Sequence, residues 1–156
     1  MTTYPSLTDR LKTQHHAIEN ILSTTDFSRL LTRPLPNKWN IQDNIAHLAK
    51  YQPVFSERIN QILFLEKPSF DRYKAEEDPE FEDWRKLNVD SLIKQLGTGR
   101  KSIYDLVTDL TNTQINRIGI HNKYGPLNII QWTEFFRLHE AHHIFTIFQL
   151  AHDTEL

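Results

Sequence analysis

The chain has no cysteine among its 156 residues. That excludes disulfides, thiolate metal ligands and a cysteine nucleophile, and leaves any metal to histidine, carboxylate or backbone oxygen. Glycine is scarce, at four residues, which argues against a glycine-rich phosphate loop and against a fold of strands and tight turns. No run of about 18 apolar residues occurs, so no membrane span is expected. An excess of one charge is also missing: 18 basic residues stand against 20 acidic ones, a net of −2. The chain therefore lacks the broad basic surface of a nucleic-acid binder or of a protein drawn to acidic lipid. The opening residues, Met-Thr-Thr-Tyr-Pro-Ser, lack the basic and apolar regions of a secretory leader, so a cytoplasmic location is expected.

What is present is helical periodicity. Leu7, Leu11, His15, Ile18 and Leu22 place a first helix from Ser6 to about Thr24, with Ser6 and Asp9 as its capping pair. Asn40, with Asp43 three residues on, caps a second helix that runs to about Leu65. Its buried face is Ile41, Ile45, Leu48, Phe55, Ile59 and Ile62, and His47, Tyr51 and Arg58 lie along one edge of it. Pro53 removes a backbone donor and predicts a kink near Ala49. A polar stretch over 66–87 reads as a long excursion, either a lid or a plain connection, with a short helix near 80–85 and Trp84 at the mouth of a cleft. The third helix spans about Val89 to Leu110. Residues 111–127 read as a loop with some β character at 118–121, ending in the turn signal Tyr-Gly-Pro. Asn128 and Gln131 form the capping box of the fourth helix. Four amphipathic helices around one core predict an all-α four-helix bundle, one domain over 1–156.

The fourth helix carries histidines in its apolar stripe. At about 100° per residue, Trp132, Phe135, Phe136, His143, Ile147 and Leu150 fall within roughly 80° of His139. His139 and His143 are four apart and stack on one face, a spacing that suits two ligands of one cation. His142 is the alternative second ligand. The same stretch, His-Glu-Ala-His-His, matches the zinc-protease motif with Glu140 as general base. That reading lacks a third ligand downstream and a substrate-binding strand. His47, at the rim of the second helix, is the better third ligand, since bundles build metal sites from facing helices. Three neutral imidazoles leave a zinc ion an open position. His15 and His121 read as ordinary core and loop residues. Tyr51 and Arg58 either orient a substrate or make a cleft-edge hydrogen bond.

Trp39-Asn-Ile-Gln-Asp-Asn-Ile-Ala-His47-Leu, then Arg58, Tyr124-Gly-Pro-Leu-Asn128 and His139-Glu-Ala-His-His143 resemble the DinB/YfiT-like family over nearly the whole chain. The resemblance implies a four-helix bundle with a three-histidine divalent-metal site, often dimeric. The family's first metal histidine, in a W-S-x-x-E-x-x-x-H-L stretch, matches His47, and its H-x-x-x-H pair matches His139 and His143. Relatives include thiol-dependent transferases using a low-molecular-weight thiol such as bacillithiol or mycothiol, and proteins described as metal-dependent hydrolases. This chain departs from the frequent H-x-G-Q ending, having Ile144-Phe-Thr146 after His143.

These readings together predict an enzyme in which zinc, or nickel, iron or copper, on His47, His139 and His143 activates water or a thiol toward an electrophilic small molecule. With no cysteine in the chain, the thiol is a cosubstrate. The alternative is a non-catalytic helical module. A second apolar face on the fourth helix, with Ile144, Phe145 and Phe148, predicts a homodimer, unless the excursion covers it.

Overall fold

The computed structural model describes residues 3–152. Its frame is four helical legs: α1 (Pro5–Thr13) with α2 (His16–Leu22), α3 (Ile41–Phe64), α5 (Val89–Thr108) and α7 (Ile129–His152). The short helices α4 (Phe81–Arg85) and α6 (Asn112–Ile115) lie between them. α3 is the hub and packs most extensively on α5 and α7. Two of the legs are started by the residues that sequence reading named. The Asn40–Asp43 capping box opens α3, and Asn128 and Gln131 exchange side-chain to backbone bonds at the head of α7.

Two features depart from the expected layout. The first leg is two helices, because backbone bonding tightens to i+3 at Gln14 and His15, a 3-10 turn inside the run. It begins at Pro5, whose fixed φ suits the first helical position, and Ser6 makes no cap. α3 has the expected span, Ile41 to Phe64, with Pro53 exposed on its surface. A small three-stranded sheet joins the excursion to the 111–128 segment. β1 (Ser69–Phe70) pairs parallel with β2 (Ile118–His121), which pairs antiparallel with β3 (Gly125–Asn128). The Tyr-Gly-Pro signal thus runs into a strand. Pro126 is tolerated there because β3 is an edge strand.

The core has two large apolar halves with a polar waist between them, and a small third cluster of Leu7, Ile115 and Ile130. On α5, Leu92 and Leu96 belong to one half, Ile103 and Val107 to the other, and buried Arg100 lies between. On α7, Trp132 and Phe136 are separated from Ile147 by Arg137, His139, Glu140 and His143. α3 contributes His47 and Gln52 at the same level, and the first leg contributes His15 between Leu11 and Ile18. On one side of α7 this waist is an ion cluster: Arg100 and Arg137 both bind the Glu140 carboxylate, and all three are almost fully buried. On the other side it opens into a cavity.

Candidate metal centre

The cavity, of about 780 Å³, is walled by the 34–39 segment, α3, the 72–76 part of the excursion, the β2–β3 hairpin and α7. His47, His139 and His143 meet in its wall. Among the described residues these three form the group of donors able to share an ion, one nitrogen from each lying within 4.8 Å of the others. The Nε2 atoms of His47 and His139 are 3.0 Å apart, close to the about 3.3 Å that two imidazole nitrogens adopt on one tetrahedral ion.

Asn44 orients the third ring. Its Nδ2 donates to the Asn40 carbonyl at 2.8 Å, so its Oδ1 must face His143. There it accepts from Nδ1 at 2.9 Å, which leaves the His143 Nε2 lone pair free. The Nδ1 atoms of His47 and His139 are buried without a protein partner among the described residues. All three rings are neutral at ordinary pH. Burial pushes His47 down to about 2, helped by His143 and His139. Burial likewise takes His139 to about 4 and His143 to about 3. Neutral imidazoles that each bring one nitrogen to the group fit a divalent cation, which ligates through the unprotonated nitrogen.

Aromatic rings close the site. Trp39 lies 4.9 Å from the His47 ring and 5.9 Å from the His143 ring, and Tyr73 stacks on His47 at 5.8 Å. Tyr51 lies 4.7 Å from the His139 ring. Its hydroxyl accepts a 3.4 Å bond from Arg58, and burial holds its pKa above the usual tyrosine value. Trp84 is not at this mouth. It is half-buried with Lys50 over its ring and lines a separate, smaller cleft with Ala49 and Pro53.

The remaining candidates separate cleanly. His142 lines the cavity but is exposed and outside the trio. His15 sits elsewhere in the waist, near Gly97. His121 is a buried strand residue that lines the cavity, its Nδ1 accepting from the Lys123 backbone N–H. Glu140 belongs to the arginine cluster, so the protease reading loses its general base. Sequence reading missed Asn44, Trp39 and Tyr73 as parts of the site. Asn44 could have been found, since it precedes His47 by one helical turn. Tyr73 comes from the excursion and carried no local signal.

The fold is thus a four-helix bundle whose waist holds three histidines beside an open cavity. The model of the DinB superfamily matches residues 10–147, and the chain belongs to that superfamily. Among solved structures, YfiT from Bacillus subtilis superposes with a TM-score of 0.82 at 18% identity, over 97% of this chain and 93% of that one. YfiT is described as a probable metal-dependent hydrolase with an unusual four-helix bundle topology. At that identity the likeness is one of fold. No curated protein compared with the chain matches it.

Proposed function

We propose that this protein is a divalent-metal enzyme acting on an electrophilic small molecule, with His47, His139 and His143 as the metal ligands. The observation that carries the reading is the convergence of three neutral imidazoles from facing helices beside a cavity large enough for a substrate. The description of YfiT supports the same chemistry. Zinc is the first choice, because three histidines leave it an open position; nickel and iron also suit imidazole. A bound ion would lower the pKa of a nucleophile and polarise the substrate.

The chain's own residues supply the rest. Asn44 holds His143 in the tautomer that presents Nε2. Trp39 and Tyr73 pack around His47 and keep water from its flank. Tyr51 stays protonated, and with Arg58 already donating to its oxygen its own proton is available to a substrate atom beside His139. Without cysteine the protein offers no thiol, so the chemistry is either hydrolysis or transfer to a low-molecular-weight thiol cosubstrate. The reading includes a homodimer: Phe145 and Phe148, turned away from the histidines, remain 47% and 41% exposed, whereas Ile144 packs into the core.

Metal analysis of untagged protein tests the assignment. Wild type is expected to hold one equivalent, with affinity falling only as pH drops toward about 4, where the first of the three imidazoles, His139, takes up a proton. The His139→Ala, His143→Ala double variant should lose it, while His15→Ala and His121→Ala keep it. Wild-type metal content in the double variant would overturn the assignment and leave a helical binding module. Light scattering that reads a monomer mass at concentrations on the order of tens of micromolar, where weak association is expected to show, would remove the dimer.

A further inference from the structure

The cavity is far more basic than the molecule. Lys38, Arg58, Arg72, Lys74 and Lys123 line it against one carboxylate, Glu76, in a chain of net charge −2. Lys74 is paired with Glu77; the other four make no ion pair with a carboxylate among the described residues.

Arg58 is the informative one, because it is buried. Its guanidinium lies 5.5 Å from the Phe70 ring centre, 5.8 Å from that of Trp132 and 6.0 Å from that of Tyr51. Two of its N–H groups are used, one on the Asp71 carbonyl at 2.7 Å and one on the Tyr51 hydroxyl. Both acceptors are neutral. A guanidinium keeps its charge in proteins, and burying one without a counter-charge is costly. Elsewhere the fold meets that cost: Arg100 and Arg137, also buried, share Glu140. Arg58 faces the cavity and has no such partner.

We infer that the substrate, or its thiol cosubstrate, carries an anionic group, a carboxylate or phosphate, that seats on Arg58 with Arg72 and Lys123 at the rim. This rests on the cavity being the substrate site. Three of the five N–H groups of Arg58 remain to bind the anion, enough for a two-pronged contact. The Tyr51 ring spans the interval from Arg58 to His139. The anionic group therefore stands about one aromatic ring away from the reacting centre.

The test uses two matched probes, 4-fluorobenzoate and its neutral amide 4-fluorobenzamide, titrated into the protein by fluorine NMR, with metal content measured on the same samples. Wild type is expected to prefer the carboxylate by at least about ten-fold, roughly one charge-assisted hydrogen bond. Arg58→Gln should abolish the preference. The exposed pair Arg72→Gln, Lys123→Gln should reduce it and weaken its salt dependence, while Lys101→Gln, on the remote face of α5, leaves it unchanged. Circular dichroism checks each fold, and if Arg58→Gln does not fold, the wild-type preference and the exposed pair decide. Equal binding of the two probes, or a preference that survives in folded Arg58→Gln, overturns the inference. A preference lost only with the His139→Ala, His143→Ala double variant also overturns it, because the ion itself would then hold the carboxylate. A carboxylate preference in protein that never holds metal supports the anion seat and sinks the metal-enzyme reading instead.

Discussion

Asn44 accepts the Nδ1 proton of His143 and is itself held by the Asn40 carbonyl. Partners of this kind fix the tautomer and aim of a ligating ring. Asn44→Ala is expected to weaken metal binding by about 10- to 100-fold, measured by chelator competition, with little change in helix content. Trp39 touches two of the three histidines and Trp84 touches none. Metal addition should therefore change Trp39 emission and leave Trp84 unchanged, read in variants that retain one tryptophan each. Equal responses from both would contradict the placement of Trp84 outside the site. The two mid-helix glycines of α5 also differ. A Cβ at Gly99 would lie 2.6 Å from the Gln52 Cβ, whereas one at Gly97 meets only a His15 ring atom at 4.0 Å. Urea unfolding should show Gly99→Ala destabilised by about 1–3 kcal/mol through overpacking of α5 on α3. Gly97→Ala should gain about 0.5–1 kcal/mol of helix propensity.

At the scale of the element, α7 does two jobs on two faces. One presents His139 and His143 to the cavity. The other presents Arg137 and Glu140 to Arg100, which anchors α7 to α5 through the waist. Glu140→Ala would leave two buried guanidinium groups without a carboxylate, at a cost of about 3–5 kcal/mol. Chemical denaturation measures this, and a loss below about 1 kcal/mol, the scale of an exposed pair, would show that water reaches the cluster. The excursion works as an element too. It closes the cavity with Arg72 and Tyr73 and pins itself to the hairpin through β1. Helical periodicity reveals none of this, since a two-residue strand leaves almost no pattern of its own.

At the scale of the molecule, the waist makes stability depend on pH. His15 is lowered to about 4, chiefly by burial and then by Arg100. An unfolded histidine titrates near 6.5, so between about 6.5 and 4 the unfolded chain binds more protons. Stability is then full above about 6.5 and falls as pH drops through that window. His47, His139 and His143 add to the same slope, so His15→Leu should make this part of the melting-temperature profile shallower without flattening it; an unchanged slope would place the proton uptake elsewhere. Metal that binds only the folded state should raise the melting temperature with the logarithm of its free concentration once that exceeds Kd.

The amino-acid order alone determined the helical legs, the caps at Asn40 and Asn128, and the two-plus-one order of histidines. These are local facts: periodicity, capping and an i, i+4 pair are decided within a few turns of chain. It did not determine the break at His15 or the strand at Gly125. It also left open which charged residues are buried, because a buried arginine and an exposed one look alike in sequence. Tertiary structure decided that Glu140 goes to Arg100 and not to the histidines, and that Trp39 and Tyr73, not Trp84, wall the site. It also decided that Arg58 is buried without a carboxylate. Each of these depends on which side chains meet across the waist. That is settled only when α3, α5, α7 and the excursion pack together and every buried charge must find a partner or face a cavity.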